Sequence, residues 1–197
     1  MRSILDLLRR RSKPADSTTP QIRWDDLQRS GFFQWFHITE TGSEGEKDGR
    51  LIRCKPGGFQ DFIDLTFSVT PAGTVSRSEL TMDRAWMEDL KSAPFAGDIA
   101  KSWVLELAQN DPAVKSFGEH LEQVGLNQPG VIVHVDSVRD GPPPDAATAQ
   151  ALDAYFGRAE RATIAGRSSS LTIANTSSAA SAAPDQRHCR LTWETTH

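Results

Sequence analysis

A histidine and an aspartate two residues apart form the best candidate catalytic pair in the sequence. His134 and Asp136 lie in the apolar run 131–138, which has the length and β-branched composition of a strand. Residues at this spacing share one face of a strand, so the carboxylate could orient the imidazole for acid–base chemistry, with Asp64 brought near by the sheet. The pattern predicts, as one alternative, a small hydrolase-type enzyme. No GxSxG or HExxH motif accompanies it.

Metal and cofactor chemistry finds little support in the residue spacing. Hard cations need several oxygen ligands, usually from one loop, and the available aspartates fit no such loop: Asp61, Asp64, Asp83 and Asp98. Cys54 and Cys189 each lack a nearby Cys or His at ligand spacing. The Gly57-Gly58 pair leads into a strand rather than a helix, unlike a phosphate-binding loop. We therefore expect no metal and no cofactor.

The densest aromatic cluster is the leading candidate for partner binding. It lies in the run 32–38, which we interpret as a strand, and it consists of Phe32, Phe33, Trp35 and Phe36. Exposed aromatic side chains supply large contact areas in protein interfaces. The alternative is that they are core residues of a central strand. If only one face of the sheet is covered, one pair of these side chains remains free to bind a partner.

Residues 1–20 form a basic N-terminal arm and linker. They hold five Arg or Lys residues against two Asp, a charge of +3, which leaves −7 for the rest of the chain. Two leucines precede a triple arginine, and this set could contact an anionic membrane, nucleic acid or a groove on a partner: Leu5, Leu8, Arg9, Arg10 and Arg11. The alternative is a frayed terminus, since a polar linker follows.

Two periodicities in residues 62–108 indicate the core that must position these groups. Residues 63–69 alternate apolar and polar side chains, which predicts a strand with one buried face, and a turn at 70–73 leads to a returning strand at 74–82. Residues 95–109 carry a helical apolar stripe: Ala96, Ile99, Ala100, Trp103, Val104, Leu107 and Ala108.

Capping residues predict the remaining helices. Asp83 is placed to cap a helix that carries Trp86, Met87 and Leu90, and Asp25 to Ser30 looks helical up to a left-handed cap at Gly31. Further helices are predicted from Pro112 and after Asp145, whereas residues 41–49 have the composition of a mobile connection. Alternating apolar residues predict two last strands, one with Leu171 and Ile173 and one with Cys189, Leu191 and Trp193.

The elements together predict an α+β fold: an antiparallel or mixed β-sheet with a group of three central helices packed on one face. Residues 21–197 are expected to form a single domain with a flexible loop near 175–187, where Ser and Ala dominate. No segment has the length of a transmembrane helix, and the basic cluster follows the apolar residues of the arm, contrary to a signal peptide. We therefore expect a cytoplasmic protein.

An acidic domain without an assembled catalytic motif favours binding over catalysis as the function. With 197 residues, 38% hydrophobic and 24% charged, and a net charge of −4, the chain resembles an ordinary globular domain with an acidic body. That charge argues against nucleic acid as the partner of the main domain. The sequence therefore predicts a non-catalytic intracellular protein-binding module, of chaperone-like, adaptor or immunity/inhibitor type, whose partner is another protein. The hydrolase remains the alternative.

Overall fold

Strands and helices follow one another in blocks along the chain. A computed structural model of the protein describes residues 21–59, 61–126, 142–177 and 187–196, with side chains as far as residue 121 in the second range. The helices are α1 (Trp24–Gln28), α2 (Gly31–Trp35), α3 (Arg84–Glu88), α4 (Ala93–Leu107), α5 (Pro112–Leu126) and α6 (Ala146–Tyr155). The strands are β1 (Thr39–Glu46), β2 (Gly49–Lys55), β3 (Ile63–Val69), β4 (Val75–Asp83), β5 (Arg161–Ala165), β6 (Ser169–Ser177) and β7 (Arg187–Thr195).

All seven of these strands belong to one antiparallel sheet, in the order β1-β2-β3-β4-β7-β6-β5. The first four pair in succession, the last three pair in succession, and β7 joins the two groups by pairing with β4, where Leu191 lies opposite Leu80. An antiparallel sheet with a separate block of helices confirms the predicted α+β class. Of the two predicted sheet types, the antiparallel one is correct.

Burial follows the alternation of the central strands. In β3, Ile63, Leu65, Phe67 and Val69 are buried, while the residues between them are exposed or half-buried. The apolar residues that predicted the two last strands are also buried: Leu171, Ile173, Cys189, Leu191 and Trp193. The alternation of apolar and polar residues therefore arises, as we inferred, because one face of each strand packs into the core.

The apolar stripe of α4 is buried throughout, as predicted. Trp103 lies at its centre with none of its surface exposed, and its indole Nε1 donates a hydrogen bond to Ser78 Oγ of β4 at 3.0 Å. This bond satisfies the one polar atom of the side chain and fixes the ring against the sheet. No helix among the described residues is long and apolar enough to cross a membrane.

Side-chain caps begin two helices where the sequence places them. Asp83 Oδ1 accepts the amide of Trp86 at 2.8 Å, and Asp145 Oδ1 accepts the amide of Thr148 at 2.7 Å. Each carboxylate satisfies an amide that lacks a partner within the helix. The helix after Asp145 ends before Gly157, which has a φ of 75°.

The predictions for residues 31–49 are wrong. Residues 32–38 do not form a strand, because the run enters helix α2, with Ser30 Oγ accepting the amide of Phe33 at 3.4 Å. Gly31 is the first residue of that helix rather than a left-handed cap. Residues 41–49 are largely strand β1, which is held by pairing with β2 although nearly all its side chains are exposed. A strand formed by backbone pairing alone leaves no hydrophobic pattern to detect.

Two further differences concern short elements. Strand β5, at the far edge of the sheet, has no counterpart among the predicted elements. Leu90 lies beyond the end of α3 and is 81% exposed, so it does not share the buried face of Trp86 and Met87.

Some predicted elements lie outside the described residues. These are the basic arm and linker at 1–20, the strand at 131–138, and residues 178–186 of the predicted loop. The start of that loop, residues 175–177, belongs to strand β6.

Candidate functional site

Helix α2 divides the aromatic cluster into an inward and an outward part. Phe32 and Phe33 are buried and Phe36 is half-buried, whereas Trp35 is 80% exposed. The ring of Phe33 lies 5.7 Å from that of Phe67 in the core. The spacing of the three phenylalanines, at i, i+1 and i+4, is that of one helical face, and Trp35 falls on the other side.

A shallow groove separates α2 from α4 beside Trp35. Its volume is about 510 Å³, and it is lined by Gly31, Phe32, Trp35, Phe36, Asp98, Lys101, Ser102, Leu105 and Glu106. Burial raises the pKa of Glu106, an effect that a hydrogen bond from Gln109 partly offsets. Aromatic and aliphatic side chains thus share the groove with groups of both charges.

A second group, the aromatic platform, lies at the start of α4. It consists of four residues in ring contact, Phe59, Phe62, Trp86 and Phe95, and of Leu90, which lies three residues before this helix in the chain and is 81% exposed. The ring of Phe59 lies 5.0 Å from that of Phe95 and 5.5 Å from that of Trp86, and Phe62 stacks on Trp86 at 5.8 Å. Trp86 is buried beneath, while Phe62 is 44% and Phe95 48% exposed. The buried indole therefore supports apolar side chains that solvent reaches.

The groove and the platform meet along the outward face of α4. Phe95 of the platform and the groove residues Asp98 and Ser102 are spaced i, i+3 and i+7 on this helix, so they lie on one face. The turn after β2 joins them from another direction, since the Gly57 amide donates to the Phe36 carbonyl at 3.0 Å. We call the groove and the platform together the aromatic surface.

The aromatic surface has the chemistry of a docking site. Exposed tryptophan, phenylalanine and leucine side chains with a rim of mixed charge resemble the centre and the edge of a protein interface. The thiols offer no nucleophile, because burial raises the pKa of Cys54 to about 12 and that of Cys189 to about 11. Among the described residues, no group of His, Cys, Asp or Glu could hold a metal ion.

The predicted catalytic set is only partly described. Asp64 is exposed on β3, and its Oδ1 pairs with Nζ of Lys55 at 2.7 Å. His134 and Asp136 lie outside the described residues, as do Leu5, Leu8 and Arg9 to Arg11 of the arm. Of the predicted partner-binding aromatic residues, the structure therefore exposes Trp35 and buries Phe32 and Phe33, whereas the candidate residues outside the described ranges stay predictions.

The platform is not among the binding candidates that the sequence predicts. Phe62 directly precedes the predicted strand at 63–69, Phe95 is the first residue of the predicted helix at 95–109, and Leu90 belongs to the helix predicted after Asp83. One signal was available, because Phe95 falls outside the apolar stripe of α4 and lies on the side of Asp98. A large apolar residue off the stripe indicates either a second contact or an exposed surface.

No family model matches the chain, and comparisons with curated proteins and with solved structures find no significant match.

Proposed function

We propose that this protein is a non-catalytic protein-binding module and that the aromatic surface is where its partner docks. The observation that carries the proposal is the exposure of Trp35, 80%, beside a groove, with Leu90, 81% exposed, on the adjoining platform. A partner that covered these side chains would remove large apolar areas from water, which favours association. Chaperone-like, adaptor and inhibitor roles all require such a surface.

The charges around the groove support a peptide or protein partner rather than nucleic acid. Asp98 and Glu106 lie on the same helix as Lys101, so the groove carries no excess of positive charge. The body of the chain carries a net negative charge, which opposes the approach of a polyanion. The proposal includes the predicted layering, with the group of three central helices on one face of the sheet, and a cytoplasmic location for the complex.

The alternative function, a small hydrolase that uses His134, Asp136 and Asp64, stays a prediction. No described residue adds to it, since Asp64 is engaged by Lys55 on an exposed strand position. A catalytic aspartate would need to line a concave site with its histidine.

Capture of partners by matched variants tests the proposal. The tagged full chain, the double variant Trp35→Ser/Leu90→Ser and the control Arg161→Ser are each incubated with extract of the native cells, and bound proteins are identified by mass spectrometry. The three mutated side chains are exposed, so all variants should fold, with circular dichroism as the check. Arg161 lies on the edge strand β5, at the opposite end of the sheet from β1, the strand that follows α2 in the chain.

We expect a protein that the wild type and Arg161→Ser capture equally and that the double variant loses. Equal capture by the double variant would contradict the aromatic surface as the docking site. If no protein is captured, the binding function itself is contradicted and the hydrolase gains weight.

A further inference from the structure

The basic N-terminal arm and the groove between α2 and α4 have complementary chemistry. Residues 1–20 carry a charge of +3, and five of them combine apolar and cationic side chains: Leu5, Leu8, Arg9, Arg10 and Arg11. The groove is lined by two carboxylates, those of Asp98 and Glu106, and by one ammonium group, that of Lys101, so its net charge is −1. Apolar contact and opposite charge are the two features that a segment needs to dock there.

The apolar and acidic parts of the groove adjoin each other. Trp35 is 80% exposed on α2, and on α4 the half-buried Leu105 directly precedes the half-buried Glu106. Burial raises the pKa of Glu106, because it disfavours the charged form of the carboxyl group. A guanidinium group would stabilise that charged form, since arginine and carboxylate form charge-assisted and often bidentate hydrogen bonds.

The chain between the arm and the described residues is long enough for the arm to reach this groove. The chain after the arm is fixed beside β4, where the Val75 amide donates to the Ile22 carbonyl at 2.9 Å. From Gln21 to Gly31, the first groove residue, the path is at most about 30 Å, because α1 rises about 1.5 Å per residue and each other step spans at most about 3.8 Å. The ten residues before Gln21 span up to about 33 Å when extended. Arg11 can therefore lie at the groove.

The covalent link favours the arm over a separate molecule of the same chemistry. A segment on a short linker has an effective concentration of the order of millimolar at its site. Contacts at an open groove are individually weak, but at this concentration an interaction with a dissociation constant of about 1 mM is formed in roughly half of the molecules. A partner must displace the arm from these molecules.

We propose that the basic arm docks into the groove of its own chain and thereby inhibits the binding of a partner. In this arrangement Leu5 and Leu8 lie against Trp35. The three arginines that follow them lie beside the carboxylates of the groove. The contact of the arm with the groove needs no partner, whereas its inhibitory effect rests on the function proposed above.

A spin label on the arm tests this contact in the full chain. Ser3→Cys supplies a thiol for a nitroxide, and the native thiols do not compete because Cys54 and Cys189 are buried. The nitroxide weakens the NMR signals of nearby protons, and the indole N–H signals of the five tryptophans are followed in the ¹⁵N-labelled chain. Trp35→Phe assigns the signal of Trp35, and reduction of the nitroxide gives the reference intensity.

Two altered arms of the same length serve as matched controls. Leu5→Ser/Leu8→Ser keeps the charge of the arm, and Arg9→Gln/Arg10→Gln/Arg11→Gln keeps its leucines. A mixture of spin-labelled chains without ¹⁵N and ¹⁵N-labelled chains without a spin label reports contacts between separate molecules. Circular dichroism checks that every variant is folded.

We expect the spin label on the native arm to weaken the Trp35 signal at least about twofold, as a contact in roughly half of the molecules provides. Both altered arms should restore most of the intensity, and the mixture should show no loss. The same loss with either altered arm, or no loss with the native arm, would overturn the proposal. An equal loss in the mixture would also overturn it, because the contact would then join separate chains.

Partner capture tests the inhibitory effect separately. In the capture experiment described above, the Leu5→Ser/Leu8→Ser chain should bind about twofold more of the protein that the wild type captures, because the groove is then free in all molecules rather than in roughly half. Equal or smaller capture would overturn the inhibition. If the wild type captures no protein while the spin label still weakens the Trp35 signal, the proposed function fails and the docking of the arm stands.

Discussion

Two tryptophans in contrasting environments give a prediction whose magnitude follows from the structure. Trp103 is fully buried in α4 and donates to Ser78, whereas Trp35 is 80% exposed on α2. Both residues are to be replaced by alanine in separate variants of the full chain. Because the change in side chain is the same, the difference between the two variants reports the environment alone.

The cost of Trp103→Ala follows from the area it uncovers and the cavity it leaves. A tryptophan buries roughly 200 Å², which at about 25 cal/mol per Å² corresponds to about 5 kcal/mol, and large-to-alanine changes in cores cost about 3–5 kcal/mol. We therefore expect Trp103→Ala to lower the free energy of unfolding by about 3–5 kcal/mol. Trp35→Ala should change it by less than about 0.5 kcal/mol.

Urea unfolding followed by circular dichroism measures both values. With a slope of about 2 kcal/mol per M, the loss in Trp103→Ala shifts the midpoint by roughly 2 M. Trp103→Phe keeps an aromatic ring, but it leaves the Ser78 hydroxyl without the indole donor and removes part of the buried ring volume; a loss of about 1–3 kcal/mol is expected. Equal midpoints for Trp103→Ala and Trp35→Ala would refute the buried packing of α4 against the sheet.

Three further predictions concern the turn packed on Asp111, the ionisation of Asp111 and the buried Arg84. Gly166→Ala should lower the free energy of unfolding by about 1–3 kcal/mol, because the added Cβ would overlap the Asp111 carboxylate. The control Gly97→Ala, where the added Cβ meets open space on α4, should raise it by about 0.5–1 kcal/mol. Equal effects of the two substitutions in urea unfolding would contradict the packing of Gly166 on Asp111. Burial favours a higher pKa for Asp111, but hydrogen bonds from the β5–β6 turn lower it, so its stabilisation is fully present above the unfolded-state pKa and is lost as the pH falls through the folded-state pKa. The stability advantage of the wild type over Asp111→Asn should therefore shrink below about pH 4, and an advantage that grows in acid would contradict the sign. Buried Arg84 donates hydrogen bonds to the last carbonyl groups of α6, so Arg84→Met should lower the free energy of unfolding by about 2–4 kcal/mol. The exposed control Arg158→Met should lower it by less than about 1 kcal/mol. Similar losses in the two variants would show that the buried hydrogen bonds of Arg84 contribute little to stability.

The parts of the fold that the sequence predicted are those governed by local periodicity and capping. The alternation from Ile63 to Val69 requires one buried face wherever the strand lies in the sheet, and the carboxylate of Asp83 caps its helix through an amide three residues on. In each case neighbours along the chain supply the interaction. Such patterns can therefore be recognised in the sequence without knowledge of the tertiary structure.

The elements that were predicted wrongly depend on pairing with residues distant in the chain or on the choice between a helical and a strand periodicity. The aromatic run is compatible with a buried strand and with a helix, and the cap at Ser30 decides for the helix. β1 exists because β2 pairs with it, although its own side chains are exposed. Both wrong predictions involve hydrogen bonds, at the Ser30 cap and between β1 and β2, that the pattern of side-chain hydrophobicity does not reveal.

The candidate sites show the same division. Trp35 could be chosen from its type and its neighbours, but its exposure depends on which face of α2 meets the core. The platform brings residue 59 to residue 95, and a cavity at one end of the sheet is lined by both residue 22 and residue 193. Assembly over such separations follows from the sheet order, which the sequence did not predict.

Site-specific photocrosslinking tests the aromatic surface most directly. A photoreactive benzoylphenylalanine is placed at position 35, at position 90 or, as a control, at the exposed position 64 of β3, and the full chain is irradiated in its native cells. We predict a covalent adduct with the same second protein from positions 35 and 90 and none from position 64. An adduct from position 64 alone, or the same adduct from all three positions, would contradict docking at the aromatic surface.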